Sequence, residues 1–295
     1  MFTIFGIPSV VLFGQVTLGL INGAFYALLS LGLAVIFGLL NVVNFAHGAI
    51  FMTGAFVSWM LLHYLGIGYW GALVLAPLIV ACFGALLERF MIRHVYKLDH
   101  AYGLLLTFGL ALLIEGAFRQ GYGISGQPYP SPAEFQGGLN LGFMLLPVYR
   151  GWVLLASIIV CLTTWFVIEK TRFGSYLRAA TENPQLVQAF GINVPLMVTL
   201  TFAFGAGLAG LAGVMAAPIY QVSPHMGANL IIVVFAVVVI GGMGSIMGAV
   251  LSGFLLGLIE GMTKVIYPEA SNIVIFVVMA IVLLVKPNGL FGRTA

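Results

Sequence analysis

Three ionisable side chains lie inside long apolar runs of the sequence: His47, Glu115 and Glu260. Charged groups at membrane depth are costly, and they often mark proton or ion pathways. Carriers driven by an ion gradient usually hold such groups in pairs, yet none of the three has an evident partner within the membrane. Glu115 and Arg119 are four residues apart, so we expect them to pair with each other near the external surface. His47 has no second ligand at a spacing that suits a metal ion.

Other reactive chemistry is also missing from the pattern. The sequence contains no GxxxxGK[ST] loop, so the chain is not expected to cradle the phosphates of ATP itself. Cys82 and Cys161 each lie within an apolar run, where core packing is the expected role of a free cysteine. We therefore predict a protein that is not an enzyme and that holds no metal or cofactor. Its energy must come from another subunit or from an ion gradient.

The composition predicts an integral membrane protein. Of 295 residues, 62% are hydrophobic and 6% are charged, and the mean hydropathy is +1.15. Soluble domains carry about 25% charged residues. The 38 glycines suit helices that pack closely in lipid, and continuous apolar runs disfavour a β-barrel. The net charge of +3 includes no basic cluster dense enough for nucleic acid. We predict an all-α, polytopic transmembrane bundle of about 8–10 segments, forming a single domain over residues 1–295.

A membrane span needs about 20 apolar residues, and the apolar runs divide at polar or glycine-rich positions. Some segments are too short to be straight, independent spans. The predicted segments are 9–28 with a continuation over 30–40, then 49–65, 70–90, 102–118, 152–170, 196–217, 229–247, 248–262 and 272–285.

The cations predict which side of the membrane each loop faces, because Lys and Arg favour cytoplasmic loops. Arg119, Arg150 and Lys264 are scattered over one side. The remaining eight cations cluster on the other side, which we assign to the cytoplasm: Arg89, Arg93, Lys97, Lys170, Arg172, Arg178, Lys286 and Arg293. A long external loop, about 119–151, then either receives an external protein or caps the bundle. A cytoplasmic loop, about 171–195, is expected opposite it.

Two stretches are candidates for the translocation path. In NVVNFAHG, residues Asn41, Asn44, His47 and Gly48 recur at steps of three and four. The stretch is either a broken helix that lines the path or an ordinary cytoplasmic turn. In GGMGSIMG, Gly241 and Gly242 interrupt an apolar run. The glycines that follow suit close helix crossing, which is the favoured role, with substrate contact as the alternative.

The polar stretch RAATENPQLVQAFGINV (178–194) predicts a short helix with its own start and stop signals. Asn183 is a suitable N-cap, Pro184 suits the first helical position, and Gly191 supplies a left-handed stop. Leu186 and Phe190, four residues apart, form an apolar edge. That edge either packs onto the chain's own bundle or enters a groove on a cytoplasmic partner.

Several segments resemble the permease subunits of ATP-binding-cassette (ABC) importers. The stretch RAATENPQLVQAFGI resembles their cytoplasmic coupling loop, with its Ala pair at Ala179-Ala180 and its glycine at Gly191, although Arg178 stands where the general pattern has Glu. Residues 19–56, 237–260 and 286–292 are similar to branched-chain amino-acid permeases of the LivH type. The resemblance extends over essentially the whole chain.

The resemblance implies an assembly and a role for the short helix. It implies two cytoplasmic ATPase subunits that bind ATP and magnesium, a second permease (LivM-like or a second copy), and an external substrate-binding protein, in a bacterial inner membrane. The expected function is import of branched-chain amino acids by alternating access. The same architecture carrying urea, short amides or other amino acids is one alternative, and an autonomous ion-coupled carrier or channel is another. The residues expected to couple the ATPase are Arg178, Ala179, Ala180, Glu182, Asn183, Pro184, Leu186, Phe190 and Gly191.

Overall fold

A computed structural model describes residues 3–4, 7–40, 43–96 and 98–292. Asn41, Lys97 and Arg293, which entered the sequence predictions, lie outside the described residues. Eleven α-helices dominate the described chain, with short 3-10 turns and two small hairpins between them. The helices are α1 (Ser9–Leu40), α2 (Ala46–Leu65), α3 (Tyr69–Phe90), α4 (His100–Tyr122), α5 (Val148–Lys170), α6 (Arg172–Glu182), α7 (Pro184–Ala189), α8 (Val194–Ala216), α9 (Met226–Gly241), α10 (Ile246–Ile266) and α11 (Val274–Val285).

Seven of the described helices are long and apolar enough to cross a membrane, and α9 and α11 are shorter apolar helices. The polytopic all-α prediction is therefore confirmed. One boundary differs: the predicted separation of 9–28 from 30–40 is wrong, because α1 runs without interruption through this region. Ser30 is fully buried, and its hydroxyl donates to the carbonyl of Ala27 at 3.1 Å. A hydroxyl satisfied within its own helix lets that helix continue through an apolar environment.

The strands are short and serve as connections. β1 (Thr3–Ile4) pairs with β2 (Ile7–Pro8) before α1. β3 (Gly138–Asn140) pairs antiparallel with β4 (Leu145–Pro147) in the connection between α4 and α5. This connection covers residues 123–147, so Arg119 and Arg150 lie within the ends of the flanking helices.

The chain divides into two compact units: the first comprises residues 1–30, 131–161 and 233–295, and the second comprises 31–130 and 162–232. Helices α1, α5 and α9 each contribute residues to both. In the first unit, α1 packs on α10 through glycines. A Cβ placed on Gly19 would lie 2.6 Å from the carbonyl oxygen of Gly257, and one placed on Gly23 would lie 3.0 Å from that of Gly253. Small residues at such crossings let the helix backbones touch.

In the second unit, α8 is the central helix, and α2 and α3 pack against it. A Cβ on Gly54 would lie 2.4 Å from the carbonyl oxygen of Gly210, and one on Gly84 would lie 2.4 Å from the Cβ of Ala206. On the other side of α2, the ring of Phe56 stacks on Phe118 of α4 at 4.6 Å. These contacts hold the middle of α8 close against α2 and α3.

Candidate functional site

The short helix α7 has the start and stop that its sequence predicts. The Oδ1 atom of Asn183 accepts a hydrogen bond from the Leu186 N–H at 3.0 Å, and Pro184 is the first helical residue. Gly191 has φ +82°, a conformation that favours glycine. A helix of six residues is unstable alone in water. Its stability must therefore come from these caps and from packing.

The two faces of α7 have different roles. Val187 is buried and anchors the helix to the chain. Leu186 is 54% exposed and Phe190 is 78% exposed, so the interpretation in which they pack back onto the chain's own bundle is wrong. Val187 did not stand out in the sequence because it lies beside Leu186 in an apolar pair. One helical step of about 100° separates the two side chains and turns one inward and the other outward.

Arg178 connects α6 to the end of α5. Its Nη1 atom donates to the carbonyl oxygen of Ile168 at 2.7 Å and lies 3.4 Å from the Glu169 carboxylate. A cation at the last carbonyls of a helix is favourable because those groups lack partners within the helix. Gly174 permits this approach, since a side chain there would collide with the same carbonyl of Ile168. Ala179, Glu182 and Pro184 are exposed on the same segment, and Ala180 is half-buried.

A buried polar cluster, which we call the Glu88 cluster, joins the end of α3 to the first turns of α8. The Glu88 side chain has no exposure. Its carboxylate accepts hydrogen bonds from Nε and Nη2 of Arg93, each at 3.3 Å, and from the Thr199 hydroxyl at 2.6 Å. Nη2 of Arg93 also donates to the Pro195 carbonyl at 3.3 Å. Burial raises the pKa of the Tyr96 hydroxyl well above its ordinary value, and the nearby Glu88 carboxylate raises it further.

No pattern in the sequence indicates that these residues form a cluster. Arg93 is one of the cations that predict a cytoplasmic loop, whereas neither Glu88 nor Thr199 stands out in the sequence. Thr199 lies 111 residues beyond Glu88, and no local pattern connects two residues so far apart. Its members on α8, Pro195 and Thr199, lie only a few residues after Gly191. The cluster therefore ties the segment that follows α7 to α3.

The NFAHG segment is a break between two helices that lies against the interior of a third. Asn44 and His47 have no exposure. The N–H of Phe45 donates to Oγ1 of Thr107 at 3.2 Å, and the His47 ring lies against Gly32, where an added Cβ would be 3.0 Å from Cε1. Thr107 is the eighth residue of α4, about 10 Å along that helix at 1.5 Å per residue.

This depth favours the broken-helix interpretation over a turn that joins the ends of two spans. Backbone N–H groups of the break find acceptors within the chain, whereas Nδ2 of Asn44 is buried without a hydrogen-bond partner among the described residues. The Ala46 N–H donates to Oδ1 of Asn44 at 3.0 Å, and the His47 N–H donates to the Asn44 carbonyl at 3.2 Å. Such pairing is what allows irregular backbone at membrane depth. That Asn44 and His47 line a path stays a prediction.

Gly241 and Gly242 belong to the first unit and form a helix break as predicted. Helix α9 ends at Gly241, and Gly242 has φ +98°. The N–H of Leu290 donates to the Ile240 carbonyl at 2.8 Å, and that of Phe291 to the Gly241 carbonyl at 3.1 Å. The break therefore binds the carboxyl-terminal segment, which supports the packing role. The other two predicted path residues, Asn44 and His47, lie in the second unit.

The two membrane carboxylates have partners that the sequence does not predict. Glu115 pairs with His225, whose Nδ1 lies 2.7 Å from Oε1 of Glu115, so the expected pair with Arg119 is wrong. Glu260 accepts a hydrogen bond from the Tyr26 hydroxyl at 2.7 Å and pairs with Lys264 one turn later. Tyr26 is 234 residues from Glu260, so only the fold brings them together.

A cavity of about 290 Å³ lies beside Glu115, within the second unit. Its walls come from the start of α2, the middle of α4 and the first turns of α9. A Cβ placed on Gly48 would lie 2.6 Å from the Gly227 carbonyl oxygen, so α2 and α9 touch at one edge of the cavity. The remaining wall is aliphatic and aromatic. It includes Phe45, Phe108, Leu112, Ile231 and Ile232.

The sequence of the chain matches a known protein family. The family model for the permease component of the branched-chain amino acid transport system matches residues 15–283. The chain belongs to this family. It is 29% identical to the high-affinity branched-chain amino acid transport system permease protein LivH of Escherichia coli K12, over 93% of this chain and 94% of that protein. It is 28% identical to BraD of Pseudomonas aeruginosa, over 95% of each chain.

A more distant relative is LivM of Salmonella typhimurium, 28% identical over 91% of this chain and 68% of that protein. Among solved structures, PsaBC from Streptococcus pneumoniae in complex with Fab aligns with a TM-score of 0.46 at 13% identity, over 91% of this chain and 89% of that chain. Family membership and seven span-capable helices together make the chain a multi-pass inner-membrane transport permease.

Proposed function

We propose that this chain is the membrane-spanning subunit of an ATP-driven importer of branched-chain amino acids. The observation that carries the proposal is α7, a capped helix that presents Leu186 and Phe190 to the surroundings while Val187 anchors it. An apolar edge framed by polar groups suits insertion into a groove of a partner protein. The cation distribution predicts that this edge faces the cytoplasm, where ATPase subunits would lie.

The proposed assembly contains two cytoplasmic ATPase subunits that bind ATP and magnesium, a second permease subunit and an external substrate-binding protein. Relatives named LivH and LivM both match this chain, which supports pairing with a second permease. The chain itself performs no covalent step. Closure of the ATPase subunits displaces α7, and the Glu88 cluster passes this displacement to α3 and α8. The membrane helices then open alternately to the two sides.

Charged substitutions on α7 test the docking role. Leu186→Asp and Phe190→Asp each remove an apolar side chain worth roughly 1.5–3 kcal/mol when buried and place a carboxylate in the interface. We expect ATPase subunits to copurify with each variant at least about tenfold less, and leucine uptake by proteoliposomes to fall equally. Gln185→Asp is the matched control, because it adds the same charge at an exposed polar position of α7.

Retention of ATPase subunits and leucine uptake by both Leu186→Asp and Phe190→Asp would contradict the docking role. The cargo is tested separately. The external binding protein that works with this permease is titrated with leucine, isoleucine, valine and urea. Preference for urea over the three amino acids would reject the proposed cargo but leave the docking role intact.

A further inference from the structure

The cavity beside Glu115 combines two features that rarely occur together in an apolar bundle. Its walls are almost entirely hydrocarbon, and one end carries a carboxylate paired with a histidine. Its volume of about 290 Å³ is at the lower limit for small-molecule sites, which span roughly 300–1,000 Å³. The space therefore suits a molecule much smaller than a nucleotide or a lipid.

We propose that this cavity is a transient binding site for a zwitterionic amino acid with an apolar side chain. The ammonium group pairs with Glu115, the carboxylate pairs with Nδ1 of His225, and the side chain lies between Leu112 and Ile231. This inference rests on the proposed function, because it assigns the cargo of the importer to particular residues of this chain.

The chemistry of the pair supports a zwitterion. In the structure Glu115 and His225 satisfy each other at 2.7 Å. A ligand with both an ammonium and a carboxylate can replace this one contact with two, so neither side chain is left unpaired. A ligand with a single charge would make only one of these two charge-assisted contacts and would leave the other partner to water. A lipid acyl chain would cover the carboxylate with hydrocarbon and offer it no donor.

The site is built for weak binding, as a transport path requires. Glu115 is 21% exposed and His225 is 48% exposed, so water competes with the ligand for both groups. The aliphatic wall accepts leucine, isoleucine or valine and discriminates little among their side chains. Selection among these amino acids is thus left to other components.

Binding of radiolabelled L-leucine to the purified importer tests the site without any need for ATP hydrolysis. The competitors are unlabelled leucine, 4-methylpentanoate, which lacks the ammonium, and 3-methylbutylamine, which lacks the carboxylate. In the wild type we expect leucine to compete best. In Glu115→Gln we expect leucine to bind at least about tenfold more weakly, since a charge-assisted pair is lost, and to lose its advantage over 4-methylpentanoate. Glu115→Asp is expected to restore that advantage in part.

Two further variants locate the site. Ala111→Phe places a ring in the cavity from α4 and is expected to abolish leucine binding, while Ala117→Phe, at an exposed position of the same helix outside the cavity, is expected to leave it unchanged. Glu134→Gln, which removes an exposed carboxylate from the external connection, is the charge control. ATPase copurification is measured for every variant, so that loss of assembly is recognised.

Three results would overturn the proposal: no displaceable leucine binding in the wild type, an unchanged order of competitors in Glu115→Gln, or unchanged leucine binding in Ala111→Phe. These results leave the docking of α7 untouched. Conversely, full ATPase retention by Leu186→Asp and Phe190→Asp would reject the coupling mechanism. The leucine competition that depends on Glu115 could still give the expected result, so the two failures are distinguishable.

Discussion

A carboxylate without solvent exposure is tolerated only where donors replace the water that it has lost. Glu88 has such donors in Arg93 and Thr199, which contact its two oxygens. Because Arg93 also donates to the Pro195 carbonyl, the same guanidinium binds the side chain of one helix and the backbone of another. The Glu88 cluster is thus both a charge balance and a mechanical connection between α3 and α8.

Arg93→Ala is predicted to destabilise the protein by about 3 kcal/mol. This value is at the low end for breaking a buried ion pair, because the Arg93 side chain is itself 35% exposed. Thermal unfolding of the detergent-solubilised protein measures the effect. Arg89→Ala is the matched control, since Arg89 is an exposed cation on the same end of α3. Adding Glu88→Gln to Arg93→Ala should recover part of the loss, and equal melting temperatures for Arg93→Ala and Arg89→Ala would contradict the prediction.

Residue chemistry was predictable from the sequence where it is local. The cap at Asn183, the proline at Pro184 and the left-handed Gly191 were all predicted and are confirmed, because each depends on neighbours within four positions. The partners of Glu115 and Glu260 were not predictable. They come from helices far along the chain, and only the fold decides which of many polar groups meets each carboxylate.

At the scale of elements, glycine decides which helices touch. Gly54 of α2 faces Gly210 of α8 so closely that an added Cβ would lie 2.4 Å from the Gly210 carbonyl oxygen and 2.5 Å from its Cα. Both neighbours are backbone atoms and cannot move as a side-chain rotamer can. No hydrophobic effect drives helices together in lipid, so their association depends on van der Waals contact. Close approach of this kind provides that contact.

Gly54→Ala is therefore predicted to separate α2 from α8 and to destabilise the protein by about 1–3 kcal/mol, the usual cost of overpacking. Gly109→Ala is the matched control. Gly109 lies within α4 with no atom within 4 Å of its added Cβ, so alanine there should be neutral or stabilising by up to about 1 kcal/mol. Thermal unfolding and limited proteolysis of the two variants provide the comparison. Equal stability of both would show that the α2–α8 contact is not tight.

At the scale of the whole molecule, apolar length predicted the number of helices better than their ends. The predicted 8–10 segments agree with seven long apolar helices and two shorter ones, because span length follows from bilayer thickness. The start of α2 differed: the prediction began at 49, and the helix begins at Ala46. The stretch with Asn44 and His47 was predicted to be either a broken helix or a turn, and its contact with Thr107 of α4 could not be predicted from the sequence.

Coupling to an ATPase requires that α7 lie on the cytoplasmic side of the membrane. Eight cations on one side against three on the other predict that the α3–α4 connection, the α5–α8 connection and the tail all face the cytoplasm. The order of the helices agrees, since two spans separate the first two regions and four apolar helices separate the last two. In spheroplasts, a membrane-impermeant maleimide should label Glu134→Cys before permeabilisation and Leu186→Cys only after it. Both variants also carry Cys82→Ala and Cys161→Ala, and the protein with these two substitutions alone must not be labelled. Labelling of Leu186→Cys in intact spheroplasts would put α7 outside, where no ATPase could reach it.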